Sequence, residues 1–365
     1  MKIPIFRLKF SKSFIKNYNF LSKKIFLSKS ISDGDVTRKF EILFSKKNGS
    51  KYALAVNSCT SALEIAFRAI NVKNKEVIIP TNTFFGTAIP INRAGGSVVL
   101  CDNEKDSPEI SFEDIKRKIT KKTVAICIVH VGGIIYSKIK ELVKLCKTKG
   151  IFLIEDSAHA HFSNIDGVSA GNFGDIGCFS FFPTKVMTTG EGGMIVTSKL
   201  DLYKKMNSIK NFGRSKNPLI LKNDGSNFKI SEFNSALGIL ELKRVDSRIR
   251  RRTILNNIYI NKLKNNKNFQ VFKQKSGKCS NYKCIVKSKI PSNIIERKLK
   301  KSHISLTGMV WEVPLHRQKL DYLKSNNNFK NCDHFSKFHF CLPNYPELSI
   351  KEATSICNLL NKYFS

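Results

Sequence analysis

Lys185 stands in the stretch CFSFFPTKVMTTGEGGMIVT, residues 178–197, with Phe179, Phe181, Phe182, Pro183 and Val186 around it. An amine sheltered by such neighbours gives up its proton more readily than one in water, because burial disfavours the charged form. A free amine of this kind forms Schiff bases with carbonyl compounds, pyridoxal phosphate among them. Asp156 closes the apolar run IFLIED, residues 151–156, and ligands of open α/β sheets sit beyond the carboxyl ends of strands. A lysine for the aldehyde carbon and a carboxylate for the pyridine nitrogen are the two protein groups that pyridoxal phosphate chemistry most needs. For the phosphate, NSCTSAL (57–63) places Ser58, Thr60 and Ser61 at the opening of a helix, where amides and hydroxyls suit an anion. Ser180 adds a hydroxyl shortly before the lysine. Taken singly, each residue also has a plainer reading, as a solvated turn lysine or as a helix cap. No GxxxxGK[ST] and no GxGxxG after a strand occurs, so neither an NTPase nor a nicotinamide enzyme has a motif to rest on.

These residues need a scaffold, and the chain supplies one between residues 50 and 200. EVIIP (76–80), SVVLCD (97–102), VAICIVH (124–130) and IFLIED read as strands. Ahead of them, NSCTSALEIAFRAI (57–70) carries Leu63, Phe67 and Ile70 on one helical face, with Ser61 and Glu64 spaced as a capping box. SKIKELVKLCKTKG places Ile139, Leu142, Val143 and Cys146 on another face and stops at Gly150. Strands alternating with helices predict an α/β fold, a mostly parallel central sheet with helices on both faces. The texture turns polar after residue 250. The expected division is a large domain over 1–250, N-terminal arm included, and a smaller C-terminal α+β domain over 251–365.

The 365 residues are 41% hydrophobic and 25% charged, a globular balance. No apolar stretch approaches the ~20 residues of a membrane span, and the basic N-terminal segment lacks the apolar core of a signal peptide, so no membrane partner is expected. Ten cysteines are scattered; Cys279 and Cys284 have no second pair at zinc spacing. A reducing, cytoplasmic setting without metal or disulfide framework follows. The net charge of +35 suggests nucleic acid at first sight. Its lysines are spread along the whole chain, however, and RIRRR (248–252) lies in a helix-like stretch. No specific nucleic-acid partner is expected.

The order and spacing of these signals resemble the DegT/DnrJ/EryC1/StrS sugar aminotransferases, pyridoxal phosphate enzymes of the fold type I class. KYALAVNSCTSALEIAF is similar to that family's phosphate-binding segment, VIIPTNTFFGTA to its ring-stacking segment and FLIEDSAHAHF to its aspartate motif. GDIGCFSFFPTKVMTTGEGGMIVT resembles the lysine motif; SNFKISEFNSALGILEL, WEVPLH and LPNYPELS match later landmarks.

The resemblance implies that Lys185 is the Schiff-base lysine and proton carrier, and that Asp156 keeps the pyridine nitrogen protonated. It implies that Thr60 and Ser180 bind the phosphate with backbone help near Cys59, that Phe84 stacks on the ring and that His159 sits near the phenolic oxygen. Asn227 would reach the phosphate of a partner subunit, which makes the enzyme at least a homodimer. Trp311 and His316 would line the sugar pocket. The implied reaction moves an amino group from an amino acid, glutamate by resemblance, to a nucleotide-linked keto-sugar in polysaccharide or glycan biosynthesis. Two departures stand out: Cys59 replaces the usual glycine and Lys229 the usual arginine. Relatives that dehydrate sugars carry histidine where this chain has Lys185. Other fold type I reactions, a non-catalytic pyridoxal phosphate sensor and a basic nucleic-acid-binding protein stay open as alternatives.

Overall fold

Along the strands of the central sheet, alternate residues face opposite layers, so nearly every position is buried. The computed structural model describes residues 2–306, 310–323, 325 and 328–365. Its strands are β1 (Tyr52–Val56), β2 (Glu76–Pro80), β3 (Ser97–Cys101), β4 (Thr123–Val129), β5 (Phe152–Asp156), the short ribbon β6 (Asn164–Ile165) and β7 (Val168–Ser169), β8 (Ile176–Ser180) and β9 (Gly193–Thr197). Seven of them form one sheet in the order β1-β9-β8-β5-β4-β2-β3, in which only β9 runs antiparallel to its neighbours. A second sheet joins β10 (Phe269–Val271), β11 (Cys284–Ser288) and β12 (His339–Leu342), all antiparallel.

The helices are α1 (Lys12–Ser28), α2 (Asp35–Asn48), α3 (Cys59–Ala69), α4 (Phe85–Arg93), α5 (Phe112–Lys118), α6 (Ile139–Lys149), α7 (Leu200–Lys210), α8 (Glu232–Leu263), α9 (Ser292–Lys301), α10 (Lys330–Lys337) and α11 (Ile350–Phe364). Leu54, Val56, Val77, Ile79 and Cys127 meet Leu63, Phe67 and Met206 of α3 and α7 on one face of the large sheet. On the other face Ala53, Ala55, Met194 and Val196 meet Phe40 and Phe44 of α2 and Ile239, Leu242 and Ile249 of α8. Helices therefore cover both faces, as the alternating pattern predicts. Gly238 of α8 permits the close α2–α8 approach, since a Cβ there would lie 2.5 Å from the ring of Phe40. Glu232 opens α8 and accepts from the amides of Gly34, Val36 and Thr37, capping α2 from a distant part of the chain.

Two details differ from the sequence reading. Helix α3 starts a turn earlier than the Ser61 capping box implies. Ser58 is its cap, accepting from the Ser61 amide at 3.0 Å, while Glu64 turns to Arg68. The N-terminal arm, grouped above with the large sheet, gives Ile3 to the second core. There it hydrogen-bonds around Ile304 beside Leu255, Tyr259, Phe340 and Ile356.

RIRRR lies within α8 and points largely inward. Arg251 donates to the carbonyls of Pro346 and Leu348, Arg252 to those of Asn344 and Tyr282, and Arg248 meets Glu347 at 3.4 Å. The run is a clamp on the loop 343–348, which is why so dense a block of positive charge tolerates burial.

Candidate active site

Asp156 ends β5 and Ser180 ends β8, its neighbour in the sheet, so both side chains emerge at the same sheet edge. The first turn of α3 reaches that edge from β1, and Lys185 hangs over it in the loop from β8 to β9. Buried Val186 and Met187 anchor the loop, and the amide of Phe181 bonds the carbonyl of Gly192 across its base at 2.9 Å. Gly193 lets the strand pass close under α3, since a Cβ there would stand 2.5 Å from the Ser58 carbonyl oxygen and 2.7 Å from the Cys59 amide nitrogen.

Together these elements wall a cavity of about 360 Å³. Cys59, Thr60, Phe84, Asp156, His159, Ser180, Lys185 and Trp311 all line it. Asn227 and His316 do not. Asn227 is exposed on the loop after Phe212 and takes the Asn57 amide on its backbone carbonyl. His316 bridges Thr81, at 2.7 Å from Nδ1, and Asp333, at 2.9 Å from Nε2, and packs on Phe329. Both of its ring nitrogens are engaged in joining α10 to the large sheet, so a place in the sugar pocket does not follow from this geometry.

Asp156 is buried and doubly oriented. Its Oδ2 accepts from Thr87 Oγ1 at 2.9 Å and its Oδ1 from the Ala158 amide at 3.2 Å. Thr87 in turn meets Thr83 Oγ1 at 2.9 Å, which fixes the direction of its hydroxyl. Burial raises the Asp156 pKa, against the lowering by these bonds and by Lys185, so the carboxylate gains from a cation placed against it. His159 Nδ1 accepts from the Gly132 amide at 3.3 Å, and burial followed by Lys185 drives its pKa far down. The ring is neutral and carries its proton on Nε2, as a donor. The amine of Lys185 lies 4.7 Å from the centroid of the Tyr282 ring.

Cys59 occupies the first turn of α3 with its thiol kept protonated, chiefly by burial and then by Asp156. A cysteine is thus accommodated where the resemblance expects glycine. Lys229 donates to Asn211 Oδ1 at 3.2 Å and lies over Phe212.

Tyr282, Lys283, Thr184 and Thr87 were not singled out from sequence. Thr87 was findable, one helical turn after Thr83 in the segment TNTFFGT. Tyr282 and Lys283 lie far downstream in a polar stretch with no motif, and only the fold brings them to Lys185.

The residues present fit pyridoxal phosphate. An amine and an oriented carboxylate share one cavity, a half-exposed phenylalanine flanks it, and hydroxyls gather where the amides of α3 begin. A model of the DegT/DnrJ/EryC1/StrS aminotransferase family matches residues 17–361. The chain is 31% identical over 340 residues to GDP-perosamine synthase of Escherichia coli O157:H7, covering 92% of each protein. It is 27% identical over 353 residues to UDP-4-amino-4,6-dideoxy-N-acetyl-beta-L-altrosamine transaminase of Campylobacter jejuni subsp. jejuni serotype O:23/36 (strain 81-176), again covering 92% of each. The fold is shared with a solved GDP-4-keto-6-deoxymannose-3-dehydratase that holds a trapped PLP–glutamate adduct. The TM-score is 0.89 at 22% identity, over 98% of this chain and 100% of that one. Its motifs, cavity and relatives agree: this chain belongs to the DegT/DnrJ/EryC1/StrS aminotransferase family, and its cofactor is pyridoxal phosphate.

Proposed function

We propose that this aminotransferase moves an amino group from an amino acid, glutamate, to a keto group of a nucleotide-linked sugar for cell-surface polysaccharide or glycan synthesis. The observation that carries the reading is that Lys185 and Asp156 line a single cavity. When bound, pyridoxal phosphate supplies an electrophilic carbonyl carbon and an electron-accepting ring. Asp156 would face the ring nitrogen, where its buried charge favours the protonated form. His159 would donate Nε2–H to the phenolic oxygen. Thr60, Ser180 and the amide near Cys59 would hold the phosphate, and Phe84 would cover the ring. Lys185, once its amine is free, would take the proton from the donor's α-carbon in the first half-reaction and deliver a proton to the sugar carbon that receives the amine in the second. The relatives' names, GDP- and UDP-linked amino sugars, support the acceptor class. Trp311, whose ring stacks on Phe84 at 5.0 Å and 29°, would form the sugar side.

We further read the enzyme as a cytoplasmic homodimer with shared sites. Asn227 is exposed and does not line its own cavity, and Phe84, Phe85, Phe182 and Phe212 are each at least 40% exposed, apolar surface that a second copy would cover. All ten cysteines are free, which suits a reducing setting. Mass spectrometry of products from a panel of nucleotide-linked 3- and 4-keto-sugars with glutamate tests the reaction. An amino-sugar product from one of them is expected; turnover of free keto acids alone would refute it.

A further inference from the structure

Residues 1–32 hold eight lysines or arginines and no aspartate or glutamate, and the chemistry at Lys185 uses none of them. Within this stretch α1 lies along α8 and is fastened near both ends. The Arg244 guanidinium carbon of α8 stands 4.4 Å from the Phe14 ring centroid, and Phe26 meets Phe233 of α8 at 4.9 Å. Phe14, Tyr18, Leu21 and Ile25, spaced i, i+4, i+7 and i+11, form the inward line: Ile25 is buried and the other three are half-buried.

Lys16, Phe20, Lys23 and Leu27 repeat that spacing two residues on, which turns them by about 200° to the opposite side of the helix. All four are exposed, Phe20 at 59% and Leu27 at 72%. Lys24 reaches over the Phe20 ring, with Nζ 4.5 Å from its centroid, an apolar stem and charged head beside an apolar neighbour. Among the described residues no carboxylate pairs with Lys12, Lys16, Lys23 or Lys24. The outward face of α1 thus offers cations and apolar side chains together, with no anion of its own.

That combination matches one kind of surface. Anionic headgroups answer the lysines, and the boundary of the acyl chains takes Phe20 and Leu27. A second copy of the chain would bring the same lysines and its own net charge of +35 against them. A nucleic acid would neutralise the lysines and leave Leu27 without an apolar partner. No described helix is long and apolar enough to cross a membrane. Lying on a bilayer requires no such helix, so the missing span that set a membrane partner aside in the sequence does not bear on this face.

We propose that the outward face of α1 binds the surface of an anionic lipid bilayer. The proposal is independent of the aminotransferase reading.

The test is co-sedimentation of the holoenzyme with lipid vesicles. Wild type should pellet with equimolar phosphatidylglycerol and phosphatidylcholine, stay in solution with phosphatidylcholine alone, and be released by high salt. The double variant Lys16→Glu/Lys23→Glu should bind at least about tenfold more weakly, since one lysine near an anionic surface is worth about fivefold. Phe20→Ser/Leu27→Ser should also bind about tenfold more weakly. Activity in solution should stay at the wild-type value in both, because the four side chains point away from α8. Failure of wild type to pellet, or vesicle binding unchanged in either variant, would overturn the proposal. So would duplex DNA that binds wild type and Phe20→Ser/Leu27→Ser alike and blocks pelleting, which would make the face a nucleic-acid site. Dissociation of an oligomer by Phe20→Ser/Leu27→Ser would make it a contact between copies instead, and equally refute the assignment. Should a variant not fold, hydrogen exchange in wild type decides: the anionic vesicles should slow exchange of the amides of residues 12–28, and no slowing refutes the site.

Discussion

Lys185 and Tyr282, distant along the chain, meet amine over ring at 4.7 Å. The phenol bonds Thr184 Oγ1 at 3.0 Å and stands 4.5 Å from the His159 ring. Burial would push this phenol up, but the amines of Lys185 and Lys283 outweigh it and hold its pKa below the ordinary value. A cation held over an aromatic face gains about 0.5–2 kcal/mol. Tyr282→Leu should therefore lower kcat by about tenfold through loss of a resting place for the lysine when it carries the proton. Tyr282→Phe, which keeps the ring, should lose much less. Steady-state kinetics on both variants checks the order, and the reverse order would discard the ring contact.

Lys185→Ala should yield a colourless protein that turns over at least about 10³-fold more slowly, the range expected when a positioned acid–base group is lost. Asp156→Asn should keep the fold and the hydrogen bond from Thr87 yet lose the charge that favours a protonated ring nitrogen. Single-turnover rates with glutamate should fall by about 10²-fold or more. A variant at either position with wild-type rates would refute the assignment.

Gly193→Ala places a methyl group against the Ser58 carbonyl and the Cys59 amide. The first turn of α3 must shift, and with it the amides of the expected phosphate site. Cofactor affinity, read by fluorescence on titrating pyridoxal phosphate into the apo-protein, should weaken by about tenfold, and Tm of the apo-protein should fall as well, because the methyl meets backbone and not a mobile side chain.

Two buried histidines set a pH window. Burial drives His161 down to about 3 and His339 down to about 4. His339 Nε2 accepts from the Val310 amide at 2.8 Å and its Nδ1 lies 2.6 Å from the Phe335 carbonyl, so only the neutral ring fits. Both folded-state values lie below the unfolded value near 6.5, so below that pH the unfolded chain binds more protons. The contribution of each is intact above pH 6.5 and is lost as pH falls toward the folded value, by about 1.4 kcal/mol per unit. His161 is buried against Phe179 and Phe181 with the backbone of Ser180 beside it, so His161→Phe should flatten the slope of urea stability between pH 6 and 4.5. An unchanged slope would count against a neutral buried His161.

Much of this site was legible because its residues sit at the ends of periodic elements. Asp156 and Ser180 close strands, Thr60 opens a helix, and hydrophobic alternation alone orders those elements. Lys185 was legible through its apolar neighbours. What escaped was contact between distant segments. Nothing local in CSNYKC announces that Tyr282 will face Lys185, and nothing in WEVPLH shows that His316 will be engaged by Thr81 and Asp333. RIRRR was legible as part of a helix, but nothing local shows that its arginines will turn to the loop 343–348.

Helix α8 runs unbroken through residue 250, with Ile239, Leu242 and Ile249 in one core and Leu255, Tyr259 and Leu263 in the other. Chimeras built by swapping gene segments with relatives should hence tolerate junctions in the loops before Ser231 or after Leu263. A splice at the compositional break near 250 would mate half of one rod with half of another, and neither hydrophobic seam would find its own neighbour.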